Sequence, residues 1–95
     1  MNSREQPLLE IEGRVCLSDL PAGVRLELDT GNHRYSLMNL GNGRVQICGH
    51  PEYCPEPTEV ALRGSYLSPG MRLEFWHPNY NLVATSRIVD IRLIP

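Results

Sequence analysis

Residues 20–28 read "LPAGVRLEL" and residues 67–75 read "LSPGMRLEF". In each, proline and glycine mark a tight turn, and the residues that follow alternate between apolar and charged. In the first, Val24, Leu26 and Leu28 face one way and Arg25, Glu27 and Asp29 the other. In the second, Met71, Leu73 and Phe75 oppose Arg72, Glu74 and Trp76. A period of two with one apolar face is the pattern of a half-buried antiparallel strand. Gly23 and Gly70, Arg25 and Arg72, Leu26 and Leu73, and Glu27 and Glu74 match at a single offset. Two readings fit this echo: two hairpins that need the same turn chemistry, or a duplicated unit with pseudo-twofold symmetry.

The alternation continues outward from both copies. "LLEIEGRVCL" (8–17) sets Leu9, Ile11, Val15 and Leu17 against Leu8, Glu10, Glu12, Arg14 and Cys16. "GRVQICGH" (43–50) sets Val45 and Ile47 against Arg44, Gln46, Cys48 and His50. "TEVALRGSYL" (58–67) sets Val60, Leu62 and Tyr66 against Glu59, Ala61, Arg63 and Ser65. Turn signals stand at "DTGN" (29–32), "GNG" (41–43) and "HPNYN" (77–81). No window of twelve residues carries a 3.6-residue apolar period; the nearest to a helix is one turn at "PEYC" (51–54), with Pro51 in first position. These patterns predict an all-β single domain over 1–95, a small antiparallel β-barrel of six or seven short strands, with 1–6 as a disordered tail. The predicted core is Leu9, Ile11, Val15, Val24, Leu26, Leu28, Leu37, Val45, Ile47, Val60, Leu62, Leu73, Phe75, Ile88, Val89 and Ile91. Ile88 and Val89 are adjacent, so the reading needs a bulge that turns both inward. Cys16 and Cys48 are expected on faces that look away from the core.

The cadence of glycine, apolar residues, "PG" and a strand is similar to that of the small barrels of translation factors and of bacterial cyclic-dinucleotide-binding barrels. The first likeness is generic. The second implies an arginine-rich "RxxxR" and a downstream "D/N-x-S-x-x-G", and neither occurs in this sequence.

Composition narrows the function classes. With 41% hydrophobic and 21% charged residues the chain has an ordinary globular balance, so 95 residues make one domain with a thin stability margin. A net charge of −2 argues against nucleic-acid binding by bulk electrostatics, which needs clustered positive charge. All nine basic residues are arginine, and they are scattered. The N-terminal residues lack the apolar run of a signal peptide, and no stretch approaches a membrane span. The expectation is a cytoplasmic, bacterial protein, in which three cysteines are not a disulfide framework.

Two stretches compete as functional sites. The first is "ICGHPEYCPEP" (47–57). Cys48, His50 and Cys54 are the residue types that zinc takes, with Cys16, His33 or His77 as a fourth ligand, although the paired "CxxC" spacing is missing. His50 is also a candidate base for Cys48 or Cys54, oriented by Glu52, and the two cysteines are a candidate redox pair. The plain alternative is a rigid loop in which cysteine packs as a small hydrophobe, Tyr53 anchors and the prolines stiffen. The second stretch is "EFWHPNYN" (74–81). Strand phase puts Trp76 on the polar face beside Arg72, His77 and Tyr80, where with Val83 it would form a contact patch. The alternatives there are a tryptophan packed under a loop, or one that stacks on a nucleobase with Tyr80. The sequence therefore points to a non-enzymatic binding or accessory module without a cofactor, contacting another protein or its own copy through Trp76, His77, Tyr80 and Arg72. A zinc-binding domain using Cys48, His50 and Cys54, and an OB-like or SH3-like nucleic-acid module, are the rival readings.

Overall fold

The alternating stretches become strands in a computed structural model that describes residues 14–64 and 66–94. Among these residues the strands are β1 (Val15–Cys16), β2 (Arg25–Asp29), β3 (Arg34–Gly41), β4 (Arg44–Cys48), β5 (Thr58–Leu62), β6 (Tyr66–Leu67), β7 (Arg72–His77), β8 (Asn81–Arg87) and β9 (Asp90–Ile94). Seven of them form one antiparallel sheet in the order β8-β7-β5-β4-β3-β2-β9, curled through 217° into a half-barrel. β1 and β6 pair separately, Val15 opposite Leu67. The all-β, small-barrel architecture expected from alternation is therefore the observed one. The two edge strands of the curled sheet are consecutive in the chain. Ile88 donates to the Met71 carbonyl, next to the β7 ladder, and Val89 donates to the Asp29 carbonyl, next to the β2 ladder, each at 2.7 Å. Two residues thus carry the chain from one side of the barrel to the other.

The echo between 20–28 and 67–75 extends to the backbone. Val24 N–H bonds the Pro21 carbonyl at 3.3 Å, and Met71 N–H bonds the Ser68 carbonyl at 3.1 Å. Gly23 donates to Asn39, which donates back to Val24; Gly70 donates to Ile88, which donates back to Met71. Gly23 and Gly70 have φ of +95° and +92°, a region that a residue without a Cβ enters freely.

Leu26, Leu28, Leu37, Val45, Ile47, Val60, Leu73, Phe75, Ile88 and Ile91 are buried as predicted, with Val15 and Leu62 at the margin. Leu9 and Ile11, like the 1–6 tail, lie outside the described residues. Other expectations need correction. Val24 is only half-buried, and Met71 is exposed, because each still belongs to its turn. Val89 is exposed while Ile88 is buried, so the crossing from β8 to β9 keeps one inward residue, not two. Tyr66 is exposed and Leu67 buried, because β5 ends at Leu62 and the turn at Arg63–Gly64 resets the phase. Tyr35 and Val83 join the core without having been expected there, Cys54 is buried as the rigid-loop reading has it, and Leu17 takes the apolar face that alternation gave it. Leu17 does so from a three-residue 3₁₀ turn, Leu17–Asp19. Cys16 and Cys48 are half-buried, neither on the core face nor fully open.

On the outer face, cross-strand ion pairs join neighbours: Arg92 to Glu27 at 3.0 Å, Arg44 to Glu59 at 2.6 Å, Arg63 to Glu74 and Arg34 to Asp29 at 3.8 Å. Solvent-exposed pairs of this kind set register more than they add stability.

Candidate functional site

At the end of the barrel where β2 meets β3, β4 leads to β5 and β7 turns into β8, the aromatic and imidazole side chains converge. His33 lies 4.5 Å from His50, His50 lies 4.6 Å from Tyr53, Tyr53 meets Tyr80 edge-on at 5.0 Å, and Tyr80 lies 4.8 Å from His77, all measured between ring centroids. Tyr35 stacks behind His50 at 6.4 Å. This belt contains every histidine in the chain.

A short repeat builds it. "HPEY" (50–53) and "HPNY" (77–80) share His-Pro-x-Tyr. In the first, His50 Nδ1 accepts the N–H of Glu52 at 3.0 Å and of Tyr53 at 3.2 Å. In the second, His77 Nδ1 accepts the N–H of Asn79 at 2.9 Å. The imidazole closes a turn over its own following residues as an aspartate or asparagine does in an Asx-turn, while proline fixes the first φ. His77 Nε2 then bonds the Tyr53 carbonyl at 2.9 Å, so the second turn supports the first. The repeated four-residue pattern was the signal in the sequence for this cluster, and a reading centred on cysteine passes over it.

Two crevices open beside β8. One, of about 200 Å³, is lined by Asn32, His33, Tyr35, His50, Tyr53, Thr85 and Ser86. The other, of about 210 Å³, is lined by Tyr53, Tyr80, Leu82 and Ala84. Tyr53, Val83 and Ala84 border both. Among the described residues β8 pairs with β7 alone, so its other edge runs along these crevices. A third, larger trough of about 450 Å³ lies over β2, β3 and β4 between Arg25, Met38, Gln46 and Cys48.

The electrostatics of the belt favour neutral groups. Burial, with the Cys54 thiol beside it, pushes the Tyr35 phenol up to about 12. Burial foremost, and then neighbouring His33, lower the pKa of His50, while Glu52 works the other way. Burial foremost also raises the pKa of Cys54.

At the first predicted site the three side chains take separate environments. Among the described residues no three of histidine, cysteine, aspartate and glutamate come together as a metal-ligand set. Cys54 is fully buried and pairs through its backbone with His50. Cys48 Sγ faces the Pro55 carbonyl at 3.6 Å, and His50 Nδ1 is occupied by backbone amides. In this structure Cys48, His50 and Cys54 are not gathered as a ligand set. The nucleophile reading has no more geometry behind it, because the base nitrogen is engaged and the buried thiol is held protonated.

The second predicted site divides. Trp76 is 50% exposed, as strand phase required, and Tyr80, in the turn that follows, is 47% exposed. His77 is corrected: it follows Leu73 and Phe75 in the inward phase and is only 7% exposed. Val83 is likewise inward and buried, and Leu82 takes its place on the outer face opposite Trp76. Arg72 is exposed, but its guanidinium bonds the Thr85 carbonyl at 3.3 Å and so braces β7 against β8. Register sets Arg44, Ala61, Trp76 and Leu82 in one row across β4, β5, β7 and β8. Leu82 also walls the Tyr80 crevice, so the row and the crevice are continuous.

No protein-family model matches this chain, and neither a curated protein nor a solved structure matches it. No helix among the described residues is long and apolar enough to cross a membrane.

Proposed function

We propose that this domain is a non-enzymatic binding module that docks another protein on the outer face around Trp76, in a reducing, cytoplasmic setting. The observation that carries the reading is the half-exposed indole of Trp76, flanked across the strands by Ala61 and Leu82. Tyr80, at the adjoining crevice, extends the apolar area. Covering such a half-exposed ring removes roughly 100 Å² from water, about 2.5 kcal/mol at 25 cal/mol per Å². That is the scale of an interface hot spot. The free thiols of Cys16, Cys48 and Cys54 support the reducing compartment. Arg34, Arg44, Arg63 and Arg92 are each paired with a carboxylate, which supports a protein partner over a polyanion.

Sedimentation mass and capture of partners from a lysate, each with wild type and Trp76→Ala, test the reading. Loss of a bound partner in the variant, with only a small drop in melting temperature, is the expected result. A concentration-dependent dimer that dissociates in the variant would assign the surface to self-association instead. Unfolding of Trp76→Ala, or undiminished binding by it, would remove Trp76 as the site.

A further inference from the structure

We propose that His50 is an acid-operated latch on the polar crevice: the neutral ring holds the 51–53 turn closed, and protonation releases it. The geometry carries this. Nδ1 of His50 is the acceptor for two backbone amides, Glu52 at 3.0 Å and Tyr53 at 3.2 Å. A protonated imidazole has no lone pair on Nδ1 and would point a third N–H at those two. The turn then loses both of its closing bonds at once.

The surroundings decide how readily a proton arrives. His33 faces the ring from the β2–β3 connection, Tyr35 from β3, and Tyr53 and Glu52 from the turn itself. β8 presents only Thr85, Ser86 and apolar neighbours to the same crevice, none of them titratable. Burial and the second imidazole oppose the charged form, and the Glu52 carboxylate only partly offsets them. The latch therefore opens below the ordinary imidazole range of about 6.5.

The movement is confined. Gly49 donates to the Cys54 carbonyl at 2.9 Å and Cys54 donates to the His50 carbonyl at 3.1 Å, which clamps the base of the loop. What is freed is Pro51, Glu52 and the amide of Tyr53; the Tyr53 carbonyl keeps its 2.9 Å bond to His77 Nε2, and Tyr53 is the wall shared by both crevices. Acidification thus opens the crevices without unfolding the barrel.

Backbone amide NMR between pH 8 and pH 5 tests this. The Glu52 and Tyr53 amides are expected to shift together with the His50 ring signal and to lose protection, while Gly49 and Cys54 stay protected. His50→Asn keeps a side-chain acceptor that does not titrate, so its turn stays closed across the range. His33→Gln raises the midpoint by removing the neighbouring imidazole. Glu52 and Tyr53 amides that ignore the His50 titration would overturn the latch. So would a His50→Asn variant that opens at the same pH as wild type.

Discussion

"HPEY" and "HPNY" are the same device in two settings. In both, the imidazole accepts the amide two residues on. Their side chains nevertheless exchange roles. His50 and Tyr53 are both half-buried; His77 is buried and Tyr80 is 47% exposed. The second turn closes a hairpin between β7 and β8, and His77 is the last residue of β7, locked into the inward phase of Leu73 and Phe75. Asn81 completes that turn at φ +65°. The first turn hangs on a longer connection, and Gly49 at φ +132° breaks the β4 phase just before His50. Local chemistry makes the turn, and the strand feeding it decides which ring becomes core and which becomes surface.

The largest expected effect comes from breaking the first turn at its root. A Cβ on Gly49 would collide with the Arg34 carbonyl and lie 3.0 Å from Tyr35 Cα, in a backbone region that side chains avoid. Gly49→Ala is expected to cost roughly 3–5 kcal/mol, combining backbone strain with overpacking. Gly70→Ala, at φ +92° and with open space around it, should cost only the strain, about 1–3 kcal/mol. Urea unfolding of the two variants checks the difference; equal losses would mean that the loop does not press on β3.

The next test compares the histidines. His77→Ala leaves the part-buried Tyr53 carbonyl and Asn79 amide without their partner and removes a ring that is only 7% exposed, at about 1–3 kcal/mol in all. His50→Ala exposes its amides to water and should cost under about 1 kcal/mol. If the order reverses in chemical denaturation, the strand phase assigned to His77 is wrong.

A pH series sharpens the contrast further. The folded-state pKa of His50 is depressed, so its contribution is fully present above the unfolded value of about 6.5 and is lost as pH falls through the folded value. Wild type should therefore lose a stability increment between about pH 6.5 and the His50 midpoint that His50→Asn retains. Identical pH–stability curves for the two would exclude the effect. A small change is expected from Trp76→Ala, about 1 kcal/mol in the same unfolding assay, because half of its ring already faces solvent and what is lost is the cross-strand contact with Ala61 and Leu82.

The sequence by itself determined the strands, the turns and most of the core. Each "PG" turn followed by alternating residues leaves the backbone one economical solution, and burial of one face then fixes the phase, as at Leu26 and Leu73. It also placed Trp76 outside, since two residues in one phase on either side leave the middle one no choice. The tertiary structure alone decided where phases are reset and which distant loops meet. Tyr66 and Val89 were misplaced because a turn of one or two residues shifts a period of two, and alternation carries no memory across such a turn; Met71 keeps the phase of Leu73 and Phe75 but precedes the strand and stays in the turn. The aromatic belt joins residues from 33 to 80, and only the closing of the sheet brings their loops to one end. The two cysteines of 47–57 show the same limit: Cys54 is buried in the core while Cys48 is half-buried with its Sγ at the Pro55 carbonyl, a difference of environment that spacing along the chain does not carry.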